Sequence, residues 1–190
     1  MRCIDEAGIR DAVDIPLEDM TRTVILTDRQ GTSLGSSGIV EAHTGQGKLH
    51  KAFSVYVFRK NGTELLMQRR SAQKMLWPLF WANTCCSHPF IGEDARTAGE
   101  RRLREELGFC TALSEHGFFV YRAEDPGGRG IEHEHVTILT GEADDALVHP
   151  DPVEVADWRW VGIAALRTDM EQHPSIYAPW FPLGLRLLTS

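Results

Sequence analysis

The chain reads as short apolar runs separated by turn residues, with one later stretch of helical spacing. Thr23–Thr27 (TVILT) is β-branched and apolar and predicts a strand. Asp28–Gly31 and Gly35–Gly38 then punctuate a loop. Lys51–Phe58 (KAFSVYVF) combines alternation with a buried run and predicts a second strand. Asn61-Gly62 is a hairpin turn signal, because both residues accept positive φ, and Glu64–Gln68 (ELLMQ) is the return strand. Arg69–Lys74 leaves that strand as a basic loop, and Met75–Ala82 is an aromatic loop containing Pro78. Glu93–Leu107 carries helical spacing through Ala95, Ala98, Arg102 and Glu106, with Gly108 as its stop. Phe118–Tyr121 and Glu134–Leu139 predict strands around the turn-rich Glu124–Gly130, and Ala156–Trp160 a last strand. Ile163–Leu166 and Leu183–Leu188 read as helices. Several hairpins and few helices, with no internal repeat or low-complexity linker, predict a mixed α/β (α+β) domain.

A length of 190 residues suits one domain over 21–190, preceded by an acidic, irregular extension over 1–20. The formal net charge of −7 argues against a general nucleic-acid groove, where Lys and Arg neutralise phosphates. It leaves room for a small anionic ligand, since a local cationic cluster overrides the global sign. No apolar run approaches the ~20 residues that span a bilayer. Of the four cysteines, Cys3, Cys85, Cys86 and Cys110, the adjacent pair is ill suited to a staple, and no secretion signal opens the chain. These features predict reduced thiols in a cytoplasmic protein, either monomer or homodimer, with no nucleic-acid or membrane partner.

The densest chemistry lies in Asn83–Pro89 (NTCCSHP). In an extended segment Cys86 and His88 point to the same side, so one pocket receives a nucleophile or acid and a metal ligand. Glu132 and Glu134 also alternate by two and share a strand face. With His43 and His50, which precede a strand, they make three imidazoles and two carboxylates, a set suited to Mg²⁺, Mn²⁺ or Zn²⁺. The competing reading is solvated acids, a capped His50 and a turn-stabilising His88. His133 and His135 face away from the two glutamates, as exposed or internally paired side chains. His116, His149 and His173 carry no motif. Trp77, Pro78, Phe80 and Trp81 either wall a pocket or belong to the core.

Ser87–Phe109 tracks the Nudix helix pattern, with Glu93, Arg101, Glu105, Glu106 and Gly108 at its positions. Ser87 stands where that motif starts with Gly, and Arg102 replaces the first Glu of its REUxEE core, reversing the charge of a cation-binding position. Alternatively, Arg102 and Glu106 at i,i+4 are a surface pair worth ~0.2–0.5 kcal/mol.

Taken together, HTGQGKLHKAF (His43–Phe53), RRSAQKMLWPLFWANTCCSHP (Arg69–Pro89), RRLREELG (Arg101–Gly108) and GIEHEH (Gly130–His135) resemble type 1 isopentenyl-diphosphate isomerases, over roughly Thr23–Trp180. The resemblance implies a Nudix-like mixed β-sheet sandwich with flanking helices. It implies interconversion of isopentenyl and dimethylallyl diphosphate by protonation and deprotonation. His43, His50, His88, Glu132 and Glu134 then hold a divalent ion. Cys86 and Glu134 exchange protons on opposite faces of the alkene, Tyr121 assists Glu134, and Trp180 faces the developing cation. Arg70, Lys74 and Arg102 bind the diphosphate, and Glu106 meets a Mg²⁺ bound with it. Arg69–Lys74 read without the resemblance is a solvated basic turn. One departure stands out: Ile39 occupies the place of a lysine, four residues before the first metal histidine, that the family aims at the diphosphate. Lys48 and Lys51 are near but do not match that place. The alternatives are a Nudix-like diphosphate hydrolase, an isomerase of a divergent prenyl diphosphate, and a non-enzymatic ligand-binding domain.

Overall fold

The computed structural model describes residues 22–188. The extension expected over residues 1–20, with Cys3, lies outside the described residues. Nine strands join in one mixed sheet: β1 (Thr23–Thr27), β2 (Ser33–Gly38), β3 (His50–Arg59), β4 (Glu64–Arg70), β5 (Trp81–Ala82), β6 (Cys85–Ser87), β7 (Ser114–Glu124), β8 (Ile131–Glu142) and β9 (Val155–Gly162). Flanking them are α1 (Ile39–Ala42), α2 (Ala95–Leu107), α3 (Ile163–Gln172) and α4 (Trp180–Leu188), with a 3₁₀ turn at Pro174–Ile176. This is the mixed α/β arrangement that the pattern predicts.

β3 is the spine. Along one edge it runs parallel to β8, pairing His50 with Glu134 and continuing to Phe58 with Glu142. Its other edge is shared in turn by β1 at His50, β6 at Phe53–Val55 and β4 at Val57–Arg59, all antiparallel. β1, β6 and β4 thus take successive stretches of one long strand, with β1 at its His50 end.

Period-two alternation divides β3 between two cores. Ala52 and Tyr56 face a cluster with Tyr121, Val136, Ile138, Trp180 and Phe181. Phe53, Val55 and Val57 face a second cluster with Leu103 and Leu107 of α2. Full burial of such a side chain contributes ~1.5–3 kcal/mol. The same alternation separates the adjacent cysteines: Cys85 joins the α2 side, while Cys86 packs against the first cluster.

α2 starts at Ala95 because Asp94 caps it, its carboxylate accepting the Thr97 N–H at 2.9 Å. Gly108 ends it at φ 74°, a left-handed conformation that favours glycine. Two differences from the sequence pattern matter. Gly35–Gly38 belongs to β2 rather than a loop, because β1 supplies a paired edge from Thr23–Gly38 to Thr27–Ser33. Arg69 and Arg70 belong to β4 rather than to the basic loop, because β9 extends the ladder to Arg69–Asp157 and Arg70–Val155. No helix among the described residues is long and apolar enough to cross a membrane.

Candidate active site

The pocket lies beside the His50 end of β3, where β8 brings Glu134 opposite His50, and its lining includes Arg22, Ile39, His43, Arg70, Lys74, Cys86, His88, Tyr121, Glu132, Glu134 and Trp180. Each part of the fold delivers one group. α1 ends at His43. β3 begins with His50, and β8 presents Glu132 and Glu134 on one face. β6 turns Cys86 inward and passes His88 just beyond its end. Gly130 permits the close approach of β8 to α1: a Cβ there would lie 2.6 Å from the His43 carbonyl oxygen, the acceptor of the Ile131 N–H.

His43, His50, His88, Glu132 and Glu134 each bring one ligand atom into a group whose members all lie within 4.8 Å of one another. The ring tautomers follow from their other contacts. His43 Nδ1 lies 2.7 Å from the Ile39 carbonyl, and His50 Nδ1 lies 2.7 Å from the Lys48 carbonyl. A carbonyl only accepts, so each Nδ1 carries the proton and each Nε2 is left to face the cluster. His50 Nε2 and His88 Nε2 are 3.1 Å apart, and His88 Nε2 is 3.0 Å from Glu134 Oε1. Two buried carboxylates among converging imidazoles demand positive charge. The donor set therefore fits a divalent ion such as Mg²⁺, Mn²⁺ or Zn²⁺.

The local electrostatics agree. Burial opposes a charge on His43, but the Glu132 carboxylate 2.9 Å away outweighs it and lifts the imidazole to about 9, so a bound ion would displace a proton that here offsets the excess negative charge. Burial depresses His88 to about 3, so that ring is neutral, as a ligand must be. Burial also works against ionisation of Glu134, but the His50 and His88 imidazoles beside it prevail and hold it well below the usual carboxylate range.

Opposite this cluster, Asn83 organises two groups with one oxygen. Its amide donates to the carbonyls of Val55 and Cys85, both at 2.9 Å, which leaves Oδ1 as the acceptor. The Cys86 thiol donates to Oδ1 at 3.0 Å and the Trp180 indole N–H at 3.2 Å. The Ser54 hydroxyl lies 3.4 Å from the same sulfur. Burial pushes the Cys86 thiol up to about 12 despite help from Ser54, Arg70 and Asn83 toward the thiolate. Asn83 and Ser54 are site residues that the sequence reading did not assign. Asn83 stood at the head of the NTCCSHP motif, whereas nothing in its own segment marked Ser54; only the β3–β6 register, Ser54 with Cys86, brings it in.

Arg70 and Lys74 make part of the pocket wall basic. Alternation from Leu66 and Gln68 would send Arg70 toward α2. The register shift between Arg69 and Arg70 accompanies its turn to the other face. There its guanidinium donates to the carbonyls of Leu76 and Trp77 and lies 5.3 Å from the Trp180 ring centroid. Lys74 pairs with Glu154. Arg102 and Glu106 are not brought to this wall. Arg102 binds Glu106 at 2.6 Å and Glu154 at 3.0 Å, and Gln68 donates to the other oxygen of the fully buried Glu106. Trp77 is core, set edge-on against Trp180 at 5.4 Å between centroids.

The family model of the NUDIX domain matches residues 48–182. An isopentenyl-diphosphate Delta-isomerase of Nocardia farcinica is 46% identical over 157 residues, covering 83% of this chain and 89% of that protein. One from Halorhodospira halophila is 41% identical, covering 83% of this chain and 90% of that protein. The crystal structure of DR0079 from Deinococcus radiodurans superposes with a TM-score of 0.69 at 16% identity. It covers 87% of this chain and 99% of that one, a likeness of fold alone.

Proposed function

The chain belongs to the NUDIX-fold isopentenyl-diphosphate Delta-isomerases, and from that membership we propose that it interconverts isopentenyl and dimethylallyl diphosphate. The observation that carries the proposal is the convergence of Cys86, Glu134 and Trp180 on one pocket whose wall also holds Arg70 and Lys74. His43, His50, His88, Glu132 and Glu134 would hold a divalent ion, which would supply the positive charge that the buried carboxylates need.

The reaction adds a proton at one end of an allylic unit and removes one at the other, leaving the formula unchanged. Cys86 is held as a thiol and Glu134 as a carboxylate, so the pair offers one donor and one acceptor. Addition to the terminal methylene gives a tertiary cation, and removal from the carbon next to the diphosphate-bearing carbon gives the shifted alkene. The reverse reaction exchanges the two roles. Trp180 lines the same pocket, where an indole π-face would attract that cation and offer no lone pair to trap it. Asn83 fixes the thiol and the indole together.

Arg70 and Lys74 receive the diphosphate, Arg70 with a planar fork and Lys74 as a compact charge. Arg102 stands one step back: it shares Glu154 with Lys74 and so steadies the lysine. In the hydrolase reading, the α2 carboxylates hold a catalytic cation. Here Arg102 neutralises Glu106 with a permanent charge, which favours isomerisation. Incubation with isopentenyl diphosphate tests the choice: dimethylallyl diphosphate without phosphate release supports the isomerase, and released phosphate supports hydrolysis.

A further inference from the structure

We propose that Arg22 is a diphosphate-binding residue of this enzyme, supplying from the residue before β1 the cation that Ile39 does not. The inference rests on the isomerase reading of the pocket. Arg22 immediately precedes β1, and its carbonyl accepts the Ile39 N–H at 2.8 Å. The two residues are therefore neighbours across the β1–β2 pair, whose register begins with Thr23 opposite Gly38. Both line the pocket, as do Ser87, Arg70 and Lys74.

The guanidinium has a defined place there. Nη2 donates to the Ser87 hydroxyl at 3.3 Å, and the guanidinium carbon lies 5.8 Å from the Phe90 ring centroid. Ser87 itself replaces the glycine that begins the Nudix motif. Two departures of this sequence, Ile39 for lysine and Ser87 for glycine, thus meet at one arginine. The charge consequence is direct. Arg22 adds a second guanidinium to Arg70, and a planar donor fork suits phosphoryl oxygens.

The test uses the full, metal-loaded chain. Steady-state kinetics with isopentenyl diphosphate and competitive inhibition by inorganic pyrophosphate are compared for wild type, Arg22→Met, Arg22→Lys and the double variant Arg22→Met with Ile39→Lys. Arg22→Met is expected to raise both KM and the pyrophosphate inhibition constant about tenfold, with a much smaller effect on kcat. Arg22→Lys recovers part of the loss. The double variant recovers most of it, because position 39 opens on the same pocket. A purely structural role for Arg22 would not give that rescue. Unchanged KM and inhibition in Arg22→Met overturn the proposal. So does a loss that Ile39→Lys fails to repair in a folded protein of normal metal content. If wild type makes no dimethylallyl diphosphate yet binds pyrophosphate in an Arg22-dependent way, the isomerase reading fails while the anion site stands.

Discussion

The Tyr121 hydroxyl donates to Glu134 Oε2 at 2.8 Å, while the other oxygen of that carboxylate faces His88 at 3.0 Å. One carboxylate is thus shared between a phenol and the metal-ligating cluster. Burial and the neighbouring Glu134 keep Tyr121 protonated, well above the usual phenol range, so it acts as a fixed donor. Tyr121→Phe removes that bond and leaves the His88 contact. It is expected to lower kcat by about ten- to a hundredfold with metal content near wild type. An unchanged kcat, read beside elemental analysis, would reject the role.

Glu134→Gln changes both halves of the relationship. It removes the proton acceptor and one buried negative charge of the metal cluster. Turnover should fall by at least about a thousandfold, with reduced metal content at equal metal supply. Normal values of both would exclude Glu134 from catalysis and from the metal site.

Asn83 is expected to be a positioning residue. Asn83→Ala strands the Val55 and Cys85 carbonyls and releases the Cys86 thiol and the Trp180 indole at once. The buried amide is worth about 1–3 kcal/mol of stability by this count. Catalysis should fall further than the stability loss explains, through kcat rather than KM. A variant destabilised yet fully active when folded would confine Asn83 to structure.

The Glu154 hub predicts a pH signature. Burial disfavours its charge, but Lys74 and Arg102 prevail and hold it at about 2, below its unfolded value near 4.5. A depressed folded value means the stabilisation is complete above about pH 4.5 and is lost as pH falls towards 2. Glu154→Gln should therefore cost on the order of 2–3 kcal/mol at pH 7, with the gap to wild type closing over that acidic window. A gap independent of pH in denaturant titrations would show that the carboxylate charge is not the cause.

Much of this site was legible because its residues obey short-range periodicity. Glu132 and Glu134 share a face of one strand, and Cys86 and His88 line one pocket across the end of another, as their spacing required. The long strands β3 and β4 and the helix α2 also matched their patterns. What escaped was set by distant partners. β2 is Gly- and Ser-rich and exists through pairing with β1. Ser54 enters only through register with Cys86. Arg102 looked like a diphosphate ligand or a surface pair with Glu106; it is a buried pair completed by Glu154, about fifty residues onward in the sequence. His133 is internally paired, 3.1 Å from the Gly47 carbonyl, as its face suggested. His135 is buried and stacked on Phe118 at 4.3 Å between centroids, a contact that strand alternation does not encode.

The most direct test of the central account is product analysis of the metal-loaded protein with isopentenyl diphosphate in deuterated water, for wild type and Cys86→Ala. The account predicts dimethylallyl diphosphate carrying solvent deuterium from wild type, no phosphate release, and loss of both conversion and labelling in a folded Cys86→Ala protein. Near-normal conversion by Cys86→Ala, or phosphate release in place of isomerisation, would contradict it.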